Sequence, residues 1–404
     1  MLIPRKIHAV LWVLMMLIAN EYAQATENIP IMVRVMSSHT STGLMSDSSI
    51  TSVLAVAIHD GTSEGTGTLE KGYSGWRGRF WLKCTGVTDF WAYAYNSRDA
   101  VVWTGLTSSV TVHRRGTNTV TIKMNPLNDI TSNAVGTLVP VAGGTFTLRS
   151  GGPNMTENTF YMSANLITRE QFWSVMGADP SVRSVSTGTS DPVQNVNWYM
   201  AIAFCNKLSL LEGLTPAYSV STVTSWSNLP FASIPTSNDA TWNAATINVG
   251  ANGYRLPTEM QYMWAAMGGM SDAFSRDIVQ GINVLGFKKG YAGSTEADGG
   301  QVNIGDYAWY YSNDNVSTQP VGTKTGNELG IYDLSGNVTE WEWDWVGIYP
   351  RTATTDYQGG SSGLYRVAQG GSWDFVASYC TVAGRLIIDP YYQGSITGFR
   401  VVRQ

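Results

Sequence analysis

The sequence predicts an α+β protein: a small Ig-like β-sandwich over residues 26–127, then a larger mixed domain over residues 138–404. Three observations predict it. In the first part apolar and polar residues alternate with the two-residue period of strands, as where Val120, Ile122 and Met124 enclose Thr121 and Lys123. Residues 128–137 are polar and aperiodic, which reads as a linker. Beyond them three helix-capping signals and many Gly-rich turns change the character of the chain.

Residues 1–25 read as a secretory signal, with Arg5 and Lys6 as the charged start and Ala23, Gln24 and Ala25 as a small-residue cleavage site. Its apolar run, residues 9–19, is half the roughly 20 residues that cross a bilayer, so no transmembrane segment is expected. No cysteine near its end offers a lipid-modified N-terminus. The expected location is secreted, or the surface or periplasm of a bacterium. Removing Arg5, Lys6 and Glu21 leaves 23 Lys and Arg against 29 Asp and Glu, a net charge of -6. That balance argues against nucleic acid as partner, because phosphate binding rests on clustered cations.

The sandwich takes further support from residues 90–95, Phe-Trp-Ala-Tyr-Ala-Tyr, and from Gly, Ser, Thr and Asn clusters between strands. Cys84 reads as a buried thiol inside an apolar strand, and His59 and His113 as surface or core residues. Nothing in this part resembles a reactive site, so it reads as a spacer or adhesin-like module. In the second part the first helix starts at Thr168 with Gln171 completing a capping box, and Gly177 closes it. The second runs from Trp198 to Leu211 after Asn197, burying Ala201, Phe204, Cys205 and Leu208. The third begins at Thr258 with Gln261 and stops at Gly268. Residues 215–252, heavy in Ser, Thr and Asn, read as long surface loops.

Six blocks then stand in order: Val-Ala-Gly-Gly-Thr-Phe at 141–146, Pro-Val-Gln-Asn-Val-Asn-Trp at 192–198, Tyr-Arg-Leu-Pro-Thr-Glu at 254–259, Gly-Ile-Tyr-Asp-Leu-Ser-Gly-Asn-Val-Thr-Glu-Trp at 330–341, Gly-Gly-Ser-Trp at 370–373 and Gly-Phe-Arg at 398–400. Together they resemble the formylglycine-generating-enzyme (sulfatase-modifying factor) family, which implies a C-type-lectin-like fold. In active members of that family two cysteines near the C-terminus oxidise a substrate cysteine, chemistry that needs a soft thiolate pair able to bind copper and cycle through a disulfide. The second position corresponds to Cys380, read as a small apolar group on a strand, but the first is Phe375. A phenyl ring does neither job. Related iron enzymes need several histidines, and residues 114–404 contain none.

The resemblance also carries calcium positions, since calcium takes oxygen ligands. One set falls on Asp333, Gly336, Val338 and Glu340, and a second on Asn303, Ile304 and Asn313, where a family acid has become an amide. Against it stands a turn held by side-chain hydrogen bonds alone. No cofactor is required; calcium would be structural.

The last forty residues resemble one branch, the variable proteins of diversity-generating retroelements, in which a fixed frame alternates with positions copied from error-prone Asn codons. The frame would be residues 370–373, Ala377, Cys380, Val382, Ala383, Arg385, Pro390 and residues 398–400. The ligand-binding positions would be Asp374, Phe375, Val376, Ser378, Tyr379, Gly384, Leu386, Ile387, Ile388, Asp389, Tyr391, Tyr392, Gly394 and Ser395. All fourteen positions hold residue types reachable by changing the first two bases of an Asn codon. Tyr with Ser, Gly and Asp also makes an antibody-like contact surface. The expected function is therefore non-catalytic binding of a protein or other surface ligand, with Phe375, Tyr379, Tyr391 and Tyr392 clustered and facing solvent. The alternatives are a divergent formylglycine-generating oxidase, which needs a replacement thiol near Cys380, and a structural envelope module, which needs a buried C-terminal segment.

Overall fold

The computed structural model describes residues 28–37, 47–72, 75–248, 250–272, 277–295 and 300–404; the expected secretory signal lies outside them. The chain divides into two units, residues 1–98 with 102–126 and residues 99–101 with 127–404.

Among the described residues seven strands build the first unit: β1 (Ile29–Ser37), β2 (Ile50–His59), β3 (Thr62–Gly72), β4 (Gly75–Leu82), β5 (Gly86–Asn96), β6 (Val101–Val112) and β7 (Asn118–Pro126). Their alternation is the predicted one: Val120, Ile122 and Met124 point into a core with Ile31, Val33, Val35 and Phe90. The expected sandwich of two sheets is instead a closed barrel in the order β1-β4-β3-β2-β5-β6-β7. Closure comes from β1, which pairs antiparallel with β4 on one edge and parallel with β7 on the other, from Ile31 opposite Asn118 to Ser37 opposite Met124. No local pattern encodes so distant a pairing, and it removes the free edges a sandwich would leave. In β5, Trp91 and Tyr93 are also buried and stack with centroids 6.1 Å apart, which explains why this strand reads as a continuous apolar run. Cys84 is not inside a strand. It lies in the turn between β4 and β5, half-buried, and burial followed by nearby Glu64 pushes its thiol up to about 11.

The second unit is a sheet-rich α+β domain, and it starts earlier than residue 138. The stretch expected to be a linker contains β8 (Ile130–Ser132) and the start of β9 (Gly136–Val141), which pair with each other and, through β9, with β12 (Phe160–Ser163) and Val402–Arg403. Strand partners far along the chain, rather than local period, recruit these polar residues. Beside them β10 (Gly144–Thr147) pairs with β11 (Asn154–Glu157).

All three capped helices stand where their signals place them: α1 (Arg169–Met176), α2 (Trp198–Leu211) and α3 (Glu259–Ala266). Both capping boxes form, and Gly177 ends α1 at φ 69°, a conformation that disfavours side chains. Helix α2 is buried on nearly every side because residues 215–252, expected as surface loops, send Tyr218, Trp226, Ile234 and Trp242 into its core. Trp242 packs on Tyr199 with centroids 5.7 Å apart.

The strand that organises the site is β13 (Thr339–Trp345), paired antiparallel with β14 (Arg366–Gln369) and parallel with Thr397–Gly398. Strand β15 (Arg385–Ile388) pairs with β14 and forms the edge of this sheet. One face of β13 carries Trp341, Trp343 and Trp345, and the Arg366 guanidinium lies between Trp198 and Trp345, 3.6 and 3.5 Å from their ring centroids. The other face carries Glu340, Glu342 and Asp344, all buried.

Candidate functional site

The C-terminal segment is built on Gly370 and Gly371, at φ 93° and 71°. A side chain at Gly371 would begin 2.7 Å from Cys380 Sγ, so the close approach of these two turns needs glycine there. Next to them Trp373 is buried, donating its indole N–H to the Ser395 carbonyl at 3.0 Å. That bond ties the 374–379 turn to the 389–395 segment.

Side chains divide sharply along this segment. None of the fourteen candidate ligand-binding positions is buried: Asp374, Val376, Ser378, Tyr379, Ile387 and Tyr392 are exposed, and Phe375, Gly384, Leu386, Ile388, Asp389, Tyr391, Gly394 and Ser395 are intermediate. Among frame positions, residues 370–373, Cys380, Val382, Pro390 and residues 398–400 are buried; Ala377, Ala383 and Arg385 are not. Tyr379 is 54% exposed and its ring lies 5.4 Å from that of Phe375. Leu386, Ile388 and Tyr391 are half committed to the main core, whereas Ile387, on the other face of β15, is 55% exposed. Two of the fourteen are tight. A Cβ at Gly384 would meet the Tyr379 and Thr381 carbonyls at 2.8 and 3.0 Å, so this position resists substitution, whereas at Gly394 the obstacle is only the tip of Tyr392.

Fixed residues surround this surface; Arg385 was expected in the frame, whereas the supporting roles of Glu259, Tyr349 and Tyr311 were missed in the sequence. Arg385 pairs with buried Glu259 on α3, Nε to Oε1 at 2.9 Å, and Tyr349 donates to the same carboxylate at 2.5 Å. This clamp holds β15 from beneath. Tyr311, 61% exposed, donates its backbone N–H to the Phe375 carbonyl at 3.0 Å. The aromatic run Trp309-Tyr310-Tyr311 in a polar stretch was a signal available in the sequence.

Beside the clamp, both carboxylate oxygens of Glu342 are buried with no hydrogen-bond partner. Burial first, then the charges of Glu259, Asp344 and Glu340, push its pKa well above the carboxylate range, and only Arg385 opposes them. An acid that holds its proton more tightly when folded stabilises the fold at acid pH and loses that contribution as pH climbs from its unfolded pKa towards its folded one. Glu342→Gln should therefore leave the melting midpoint unchanged at about pH 4 and raise it at about pH 8. Each tenfold change in acidity is worth about 1.4 kcal/mol, so a rise of about 3 °C or more is expected in a domain this size. Thermal melts at the two pH values check it.

The sulfur chemistry is equally local. Phe375, expected at the first catalytic position of the resembled enzymes, offers no sulfur, and Cys380 is a buried free thiol capping the turn Ala377–Tyr379 rather than lying on a strand. It packs with Tyr291, Ile304 and Ala308, and burial pushes its pKa up to about 12, far from a thiolate at neutral pH. Cys205 belongs to a different core cluster and is also unpaired.

The residues expected around calcium are engaged otherwise. Glu340 gives both oxygens to Arg400, at 2.5 and 2.9 Å, and Asp333 accepts from the Gly322 N–H and Asn337 side chain. Gly336, at φ 80°, and Val338 serve the buried turn leading into β13. In the second set, Asn303 precedes the helical turn Ile304–Tyr307, and Ile304 is buried against Cys380. Asn313 accepts from the Tyr310 N–H and donates to the Ala308 carbonyl, while Lys324 donates to the Gly305 carbonyl. Protein donors thus already reach the side-chain oxygens of Glu340, Asp333 and Asn313.

A family model described as the sulfatase-modifying factor enzyme 1-like domain matches residues 126–404. The chain belongs to this family. The match begins before β8, in keeping with the structural boundary at residue 127. Relatives of this sulfatase-modifying-factor chain include a protein named chaperone protein LppX from Paenibacillus barcinonensis, 34% identical over 280 residues that cover 66% of this chain and 89% of that one. Another is the formylglycine-generating enzyme of Streptomyces coelicolor, 31% identical over 171 residues, 39% of this chain and 49% of the enzyme, so the chain spans about half its length. Among solved structures, Treponema denticola variable protein 1 matches with a TM-score of 0.59 at 34% identity, over 68% of this chain and 98% of that chain. That likeness agrees with the variable-protein branch that the C-terminal segment resembles.

Proposed function

We propose that this protein is a non-catalytic, secreted or surface-displayed ligand-binding protein, a variable protein on a C-type-lectin-like scaffold whose residues 374–395 contact a partner protein. One observation carries the reading: none of the positions that would vary is buried, while most of the frame is, residues 370–373 and 398–400 on either side and Cys380, Val382 and Pro390 between them. A surface of this design can change side chains without disturbing its support, which is what a diversified binder requires. Calcium has no part in this reading.

A displayed library randomised at Asp374, Val376, Ser378, Tyr379, Ile387 and Tyr392 should retain folding in most clones and yield binders to an unrelated immobilised protein. Randomising Trp373, Cys380, Val382 and Pro390 should leave few folded clones. Equal loss of folding in both libraries would refute the division of labour. The oxidase alternative makes its own demand, turnover of a cysteine peptide in the presence of copper that disappears in Cys380→Ser; the buried, protonated thiol predicts no product.

A further inference from the structure

We infer that Tyr311, outside the variable segment, is a constant anchor of the partner-binding surface and contributes to affinity whatever residues occupy positions 374–395. This rests on the binding reading above. The supporting contacts run from a fixed segment, residues 301–313, to the backbone of the variable turn. The Tyr311 N–H donates to the Phe375 carbonyl at 3.0 Å, and Gln301 Nε2 donates to the Ala377 carbonyl at 3.0 Å. Because both acceptors are main-chain oxygens, replacing the side chains at 374–379 leaves these bonds available.

The segment is also stiff. Asn313 closes a turn by accepting from the Tyr310 N–H at 2.9 Å and donating to the Ala308 carbonyl at 3.0 Å, and its own N–H donates to the Tyr310 carbonyl at 2.8 Å. Tyr310 packs inward against the cluster of Cys380, Tyr291 and Ile304. Its neighbour Tyr311 is thereby left 61% exposed on a fixed backbone hydrogen-bonded to the variable turn. An exposed tyrosine on a rigid turn loses little conformational freedom on contact, and such residues dominate interface energetics.

The test uses two binders drawn from the library above against two unrelated proteins, hen lysozyme and serum albumin, so that their variable residues differ. Tyr311→Ala should weaken both by about tenfold or more while leaving both melting midpoints within about 2 °C, as expected for an exposed side chain. A change below twofold in either binder overturns the inference, because a constant anchor must act in both. Tyr311→Phe should retain most of the affinity if the ring is the contact; a loss as large as that of alanine would overturn the anchor role of the ring. If the library yields no binders, the binding reading fails, and the anchor with it.

Discussion

Replacing Arg400 by methionine should destabilise the second unit by about 3–5 kcal/mol, the cost typical of stranding one member of a buried ion pair. Arg400 and Glu340 are both fully buried, with Nε to Oε2 at 2.5 Å and Nη2 to Oε1 at 2.9 Å. The remaining guanidinium donors reach the Ser163 and Tyr332 carbonyls, at 3.1 and 2.8 Å, so one side chain joins β12, β13 and the 330–336 turn. In the variant, Glu340 would keep only its weak contact with the Tyr262 hydroxyl, 3.5 Å away, and its proton would be held more tightly. The deficit should accordingly shrink as pH falls and Glu340 becomes neutral. Adding Glu340→Leu should recover part of the loss, because an apolar pair strands no charge. Chemical unfolding of the single and double variants at two pH values checks all three statements. A deficit below 1 kcal/mol for Arg400→Met would show that the pair does not hold these strands together.

Arg400 and Glu340 stand 60 positions apart, and this distance marks the limit of what the sequence discloses. Features set within a few residues were legible: the capping boxes of α1 and α3, the Asn197 cap of α2 and the period of β7 all form as expected. So were the ordered blocks of the family domain. Long-range partnership was not legible. Nothing near β1 indicates that it pairs in parallel with β7, and nothing in the polar 128–137 stretch indicates that β9 will find β12. For the same reason nothing near Glu340 indicates its pairing with Arg400, and nothing near Gly384 indicates the two carbonyls that close around it. In the 215–252 region, Trp226 and Trp242 were the overlooked signal, since large aromatics in a polar loop imply burial.

The second large effect is expected at the binding surface. Against a ligand that this copy binds, Tyr379→Ala and Tyr392→Ala should each cost about 2 kcal/mol, the scale of an interface anchor, which is roughly a 30-fold rise in Kd. Tyr379 projects from the 377–379 turn and Tyr392 from the segment after β15, whose Pro390 carbonyl is held by the Trp198 N–H at 2.9 Å. Trp373, whose indole bonds to the Ser395 carbonyl, links one segment to the other. If both tyrosines touch one partner from independently supported backbone, their costs should add, and the double variant should lose about 4 kcal/mol, close to a thousandfold. Surface plasmon resonance of the four proteins measures the cycle, with melting midpoints as a control because both side chains are exposed. Full additivity would assign them to one contact surface with separate footings. If either change alone abolished binding and the other then had no further effect, the two would instead act as a single coupled unit. If neither moved Kd by more than twofold, the partner would not be docking on this segment.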